Sequence, residues 1–94
     1  MYKPSYDGAN KKVLWQELWR HEFEAALAND PVVIIPIGSI EQRGPHCPMD
    51  VDISAPFYMA VEVAKRIEDF PVLVAPPVWS GFTHYNMGFP GTIS

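Results

Sequence analysis

Apolar and polar residues alternate with two different periods along the chain, and the change of period marks the predicted elements. From Lys12 onward, apolar residues recur at spacings of three and four, which predicts an amphipathic helix that ends before Pro31. Its apolar stripe is formed by Leu14, Trp15, Leu18, Trp19, Phe23 and Leu27. We interpret this stripe as buried core packing, with a contact to a partner as the alternative. The polar and aromatic residues 1–11 before it predict an extended arm.

Two short apolar segments enclose a second predicted helix. Residues 32–37 (VVIIPI) are β-branched and apolar on both faces, which is typical of a strand in a covered parallel sheet. Residues 71–75 (PVLVA) predict a second strand, and Ser54 and Pro56 predict the start of the helix between the two. Strand, helix and strand form a βαβ unit with parallel strands. The Pro, Gly and aromatic residues of 76–94 predict a long loop.

This set of elements is small for a parallel sheet. Two strands and two helices cannot cover both faces of such a sheet, and parallel sheets are normally buried and have more strands. We therefore expect the chain to be the opening part of a larger α/β domain. The alternative is a natural mini-protein that is stabilised by oligomerisation.

Composition and charge narrow the class of protein. Hydrophobic residues make up 48% and charged residues 19% of the 94 residues, which is typical of a globular domain and not of a disordered chain. Seven Lys and Arg against eleven Asp and Glu argue against a nucleic-acid partner and against a polybasic membrane surface. No apolar run is long enough to cross a bilayer, and no secretory signal is recognised. The single Cys47 excludes an internal disulfide, so we expect a cytoplasmic protein.

Candidate chemistry is concentrated in the loop that follows the first strand, residues 38–52. Ligands of open α/β sheets bind beyond the carboxyl ends of the strands, where this loop begins. It contains Glu41, His46, Asp50 and Asp52, and carboxylates with imidazole are ligands for Zn²⁺ or Mn²⁺. The glycines and prolines of the loop favour a fixed shape. An acidic loop without a metal is the alternative.

Two motifs in this chain resemble those of the creatininase (creatinine amidohydrolase) family. The run GSIEQRGPHCPMDVD, residues 38–52, resembles the family signature GS-x-EQHGPHLP with an Asp a few residues later. Residues 75–77 (APP) and 84–92 (HYNMGFPGT) resemble the second landmark of the family, an APP segment followed by an MGFPGT-type loop. The two motifs occur in the expected order, and the resemblance covers about residues 30–94.

The resemblance implies a fold and a chemistry. The family fold is a three-layer α/β/α sandwich, so the expected fold is a partial sandwich, incomplete at its C-terminus, that forms part of one domain over residues 1–94. Members of the family hydrolyse small cyclic amides, formamides, peptide-like bonds or cyclic ketones with a two-metal centre. By resemblance, Glu41 is a terminal metal ligand and Asp52 bridges two ions. The metal would be Zn²⁺ or Mn²⁺, with Fe²⁺ as a third choice. The full-length form is expected to be a homo-oligomer.

Arg43 is a departure from the family pattern. It stands at the position of a metal-ligating His, and a guanidinium has no free lone pair with which to bind a metal. Arg43 could instead form a salt bridge with Glu41 or Asp52 and replace one metal ion. The remaining His and Glu ligands of the family lie on a downstream loop that follows the two motifs. We therefore predict a one-metal or metal-free site, with a reduced or absent metal in this chain.

Further candidates are aromatic residues and histidines. His46 is a candidate for substrate contact, with a backbone-bonded loop histidine as the alternative. Trp79, His84 and Tyr85, together with Phe82, are candidates for lining a substrate pocket. The alternative is that this cluster covers a sheet edge or a subunit contact.

The resulting hypothesis is a metal-dependent hydrolase that attacks a small cyclic amide, formamide-type or cyclic ketone substrate with metal-activated water. The expected partners are a small-molecule substrate and further copies of the chain, without nucleic acid or membrane. A second hypothesis is a catalytically inactive fragment or assembly module, in which Arg43 marks the loss of the metal site. A binding domain without chemistry is the third.

Overall fold

The computed structural model describes residues 11–94, so the predicted arm lies outside the described residues apart from Lys11. The described elements, in chain order, are a 3₁₀ turn at Trp15–Glu17, helix α1 at Arg20–Leu27, strand β1 at Val32–Ile34, helix α2 at Val51–Arg66, strand β2 at Val72–Val74 and a second 3₁₀ turn at His84–Asn86. Within residues 11–94, no helix is long and apolar enough to cross a membrane.

The two strands pair in parallel and are connected through α2, which confirms the predicted βαβ unit. Val32 pairs with Val72 and Ile34 with Val74. Strand β1 ends earlier than predicted, since Pro36 has no N–H to donate to a ladder. The pairing then resumes as a single parallel bridge between Ile37 and Val78. The fold is therefore a partial α/β unit with its loops at the carboxyl ends of both strands.

The core lies between α2 and β2. Its buried residues are Val13, Ala60, Ala64, Val72 and Val74. Strand β2 is buried along its whole length, whereas Val32 and Val33 of β1 are 49% and 38% exposed. Covering is therefore complete for β2 and incomplete for β1, as expected for a chain with too few elements to cover both faces of a parallel sheet.

The first helix begins later than the periodicity predicted. Val13 and Leu14 are extended instead of helical: the Val74 N–H donates to the Val13 carbonyl at 2.8 Å, and Leu14 forms a parallel bridge with Val74. Helix α1 begins at Arg20 because the Glu22 carboxylate accepts a hydrogen bond from the Trp19 N–H at 2.9 Å, which is one half of a capping box.

The apolar stripe predicted for the first helix is only partly buried: Leu14 packs against the core, whereas both of its tryptophans are exposed. Trp19 is 68% exposed and Leu27 is 56% exposed, and Trp15 packs mainly on Phe23, with ring centroids 4.6 Å apart. The prediction of core packing is therefore wrong for Trp19 and Leu27. The physical reason is that no described helix or strand packs closely against α1.

The second helix begins one turn earlier than predicted. Asp50 occupies the N-cap position, and its carbonyl accepts hydrogen bonds from Ile53 and Ser54. The Ser54 hydroxyl donates to the Asp50 carboxylate at 2.5 Å, so Ser54 lies inside the first turn instead of capping it. Asp52 therefore also lies in the first turn of α2, and Pro56 lies within the helix.

Candidate functional site

Two loops meet beyond the carboxyl ends of β1 and β2. The loop after β1 and the loop after β2 are joined by an antiparallel bridge in which the Ile93 N–H donates to the Ile40 carbonyl at 2.8 Å. Beside this bridge, the Gln42 N–H donates to the Thr92 hydroxyl at 3.1 Å. The two motifs that are far apart in the sequence therefore form one surface, at the edge of the sheet where ligands of such folds bind.

Glu41 is the buried carboxylate of this surface. It is 4% exposed, and its N–H donates to the Met49 carbonyl at 3.1 Å, which closes the loop behind it. Its Oε2 atom accepts a hydrogen bond from Asn86 Nδ2 at 2.9 Å. Both the backbone and the side chain of Glu41 are thus held in place.

Asp52 and Arg43 form an ion pair next to Glu41. Arg43 Nε donates to both carboxylate oxygens of Asp52, at 3.2 and 3.1 Å, and Nη2 donates to Oδ1 at 2.5 Å. This fork is the geometry in which guanidinium and carboxylate bind most strongly. The salt bridge expected for Arg43 is therefore present, and its partner is Asp52.

The charges of this cluster affect one another. The pKa of Asp52 lies below its ordinary value because Arg43 donates hydrogen bonds to the carboxylate, with a smaller contribution from a hydrogen bond with the Glu41 carboxyl group. The pKa of Arg43 is raised, chiefly by the same hydrogen bonds to Asp52 and further by the negative charge of Asp52. Glu41, Arg43 and Asp52 thus form one cluster, in which Arg43 keeps Asp52 ionised.

Gly38 allows the loop to approach the first turn of α2. A Cβ atom at position 38 would lie 2.0 Å from the Asp52 carbonyl oxygen, a distance that no side chain can occupy. This carbonyl would normally accept from the residue four positions later, but that residue is Pro56, which has no N–H. Pro56 therefore frees the Asp52 carbonyl, and Gly38 packs against it.

The structure brings together the two predicted metal ligands, Glu41 and Asp52. Their oxygen donors suit a hard divalent cation. Among residues 11–94, however, no group of three or more His, Cys, Asp or Glu side chains could hold a metal ion. Catalytic zinc sites use three protein ligands, and Arg43 already binds one of the two carboxylates. The residues present fit part of the coordination sphere of one cation.

The predicted substrate-binding residues of the loop after β2 differ in their exposure and in their contacts. Tyr85 is 76% exposed and lies near Arg43. His84 stacks on Phe82, with ring centroids 4.4 Å apart and an interplanar angle of 11°. Within the described chain, neither a hydrogen bond nor a ring contact joins Trp79 to the cluster. A role for Trp79, His84 and Tyr85 in binding substrate stays a prediction.

The predicted role of His46 also stays a prediction. His46 is exposed, and its ring lies against Gly44, where an added Cβ would be 3.2 Å from two ring atoms. In the part of the chain that is described, this ring makes no hydrogen bond to Glu41 or Asp52.

Sequence analysis missed Asn86, Gln42 and Thr92 as members of the site. All three lie inside the two motifs, which was the available signal. Their partners are separated from them by 44 to 50 positions, so spacing along the chain could not pair them.

Comparison with known proteins agrees with the two motifs. The family model described as creatininase, creatinine amidohydrolase, matches residues 16–94. The chain is 36% identical over 91 residues to a creatinine amidohydrolase of Pseudomonas putida, with 90% of this chain and 34% of the relative covered. It is 42% identical over 67 residues to a mycofactocin precursor peptide peptidase of Mycolicibacterium smegmatis, with 68% of this chain and 27% of the relative covered.

Solved structures agree as well. A creatininase with a Trp-to-Ala substitution and another with a Glu-to-Gln substitution, complexed with creatine, each superpose with a TM-score of 0.79 at 37% identity. Each comparison covers 89% of this chain and 34% of the solved chain. The chain thus spans about a third or less of the length of these relatives. The family model, the relatives and the solved structures together show that the chain belongs to the creatininase family.

Proposed function

We propose that this chain is part of a metal-dependent hydrolase that acts on a small cyclic amide, formamide-type or cyclic ketone substrate through metal-activated water. The proposal rests on one observation, the convergence of Glu41 and Asp52 from two separate elements beside Arg43. Relatives with different substrates support the general reaction class, since their names describe a creatinine amidohydrolase, a peptidase and a 3-dehydro-scyllo-inosose hydrolase.

Glu41 and Asp52 would hold one divalent cation, Zn²⁺, Mn²⁺ or Fe²⁺. Such an ion, when bound, polarises a carbonyl group and lowers the pKa of bound water towards neutrality. The buried Glu41 carboxylate is held by Asn86 before any ligand arrives, so little reorganisation is needed. Arg43 orients Asp52 and keeps it ionised.

Charge favours one cation over two. With both carboxyl groups ionised to bind a cation, Glu41 and Asp52 together with the Arg43 guanidinium carry one net negative charge. One divalent ion reverses this charge to one positive, whereas a second ion would add two more positive charges beside the guanidinium. The permanent charge of Arg43 therefore takes over the role of the second metal ion in neutralising Asp52.

A small-molecule substrate, assembly into a homo-oligomer and a cytoplasmic location complete the proposal. The exposed rings of Tyr85 and Trp79 support a substrate-binding role for the second loop. Exposed apolar residues along β1 support assembly. The free thiol of Cys47 supports a reducing compartment.

The test is binding of Mn²⁺ to the full chain, measured by isothermal titration calorimetry and by the loss of the electron paramagnetic resonance signal of free Mn²⁺. We expect one ion per chain in the wild type and its loss in Glu41→Gln and in Asp52→Asn. Asp69→Asn, which removes an exposed carboxylate after α2, is the matched control and should bind as the wild type does. A wild-type chain that binds no Mn²⁺ would contradict the proposal.

A second candidate is an inactive or assembly module in which Arg43 replaces a metal ligand. The fork of Arg43 on Asp52 is the observation that favours it. This candidate expects no ion in the wild type and a gain of one ion in Arg43→His. Arg66→His, at an exposed arginine of α2, is the control and should gain none. A wild type that binds one ion supports the first candidate, and an Arg43→His chain without any gain counts against the second.

A further inference from the structure

A chain of three hydrogen bonds starts at Gly44 in the loop after β1. It passes through Asn86 in the loop after β2 and returns to the Glu41 carboxylate. The Gly44 N–H donates to Gln42 Oε1 at 2.9 Å. Gln42 Nε2 donates to Asn86 Oδ1 at 3.1 Å, and Asn86 Nδ2 donates to Glu41 Oε2 at 2.9 Å. We call this set the amide relay, and its members are Gly44, Gln42, Asn86 and Glu41.

The amide relay has one direction. A backbone N–H can only donate, so the group of Gln42 that faces Gly44 must be its oxygen. The Gln42 nitrogen then faces Asn86, whose oxygen accepts, and the Asn86 nitrogen is left to face Glu41. A carboxylate only accepts, so the relay ends on the one kind of group that it can bind.

Hydrogen bonds also fix the backbone at Asn86. The Asn86 N–H donates to the Thr83 carbonyl at 3.0 Å within the second 3₁₀ turn. Thr83 is 6% exposed, and its hydroxyl donates to the Ile93 carbonyl at 3.2 Å. Asn86 therefore approaches Glu41 from a fixed position in the second loop.

We propose that Asn86 is a positioning residue that orients the Glu41 carboxylate for cation binding, with Gln42 setting the orientation of the Asn86 amide. This inference rests on the proposed function, because it assumes that Glu41 binds the cation. Groups that orient metal ligands in this way contribute about 10- to 100-fold to metal affinity. The loop after β2, which has no Asp or Glu, would thereby affect a cation that it does not itself bind.

The experiment measures the Mn²⁺ dissociation constant and the thermal unfolding midpoint of the full chain side by side. We expect Asn86→Ala to weaken binding about 10- to 100-fold, with one bound ion retained, and to lower the unfolding midpoint, because the buried Glu41 carboxylate loses a donor. Gln42→Ala should weaken it in the same direction but less, since the Asn86 amide is still present but free to rotate. Asn29→Ala removes an amide that bonds only the Ala25 carbonyl of α1, and it should leave the affinity unchanged.

The outcomes separate this inference from the proposed function. A wild type that binds Mn²⁺ with an Asn86→Ala variant of equal affinity overturns the positioning role and leaves the proposed function standing. A wild type without any Mn²⁺ binding overturns both. If Asn86→Ala fails to fold, Gln42→Ala decides: unchanged affinity overturns the inference and weakened affinity supports it.

Discussion

Single residues determine how closely the first loop and α2 approach each other. Gly38 lies against the Asp52 carbonyl, and Pro56 leaves that carbonyl without a helical donor. Arg43 then binds the Asp52 side chain from the same loop. The site therefore depends on Gly38, which has no side chain, on Pro56, which has no N–H, and on Arg43, whose charge is permanent.

We expect Gly38→Ala to destabilise the chain by about 1–3 kcal/mol, the usual cost of forcing a methyl group into an occupied space. The added Cβ would lie 2.0 Å from backbone, so the loop or the helix must move. The measurement is urea unfolding. Gly81→Ala is the control, because its Cβ would meet no atom within 4 Å. Equal stability of the two variants would show that the loop adapts without cost.

At the scale of elements, the start of α1 depends on Glu22. Its carboxylate accepts from the Trp19 N–H and forms a salt bridge with Lys12 at 3.1 Å. Lys12 lies just before the extended residues that pair with β2, so Glu22 links α1 to this segment. The periodic pattern missed this break, since apolar residues suit a helix and an extended edge segment equally.

Glu22 should make stability depend on pH in acid. Its pKa lies below the ordinary value of 4.5, chiefly because the Trp19 N–H donates to the carboxylate, and Lys12 lowers it further. The folded chain therefore favours the ionised form. This contribution is present above pH 4.5 and is lost as the pH falls through the lower folded value.

Thermal unfolding between pH 7 and pH 3 tests this expectation. The wild type should be more stable than Glu22→Gln at neutral pH, and the difference should shrink as the pH falls below about 4.5. Glu24→Gln is the control, since Glu24 forms only an exposed pair with Arg20. A difference that is constant over the whole range would contradict the assigned role.

At the scale of the whole molecule, apolar side chains are exposed on β1 and directly after its end. Val32, Ile35 and Ile37 are 49%, 56% and 67% exposed, although a parallel sheet is normally buried on both faces. The chain spans about a third or less of its relatives, so this surface corresponds to only part of a family domain.

We expect the chain to self-associate through this surface, because an open strand edge with exposed apolar residues favours pairing. Sedimentation velocity should show species heavier than 10.6 kDa that increase with concentration. Ile35→Lys places a charge on the surface and should reduce association. Ala25→Lys, on the exposed side of α1, should not. A chain that is monomeric at every concentration would contradict this prediction.

Sequence reasoning succeeded where the signal was local. The parallel strands, the helix between them and the loop with Glu41 followed from periodicity and from the positions of Pro and Gly. It failed at the start of α1 and for the burial of Trp19 and Leu27, where pairing with β2 and the packing of other elements decided the outcome. Both are non-local properties, which a single segment does not reveal.

The sequence by itself indicated the family, the order of the elements and the two candidate metal ligands Glu41 and Asp52. Only the tertiary structure decided that Arg43 binds Asp52 and that Asn86 donates to Glu41. The physical reason is distance along the chain. Glu41 and Asn86 are separated by 45 positions, and only the meeting of two loops brings their side chains within hydrogen-bonding range.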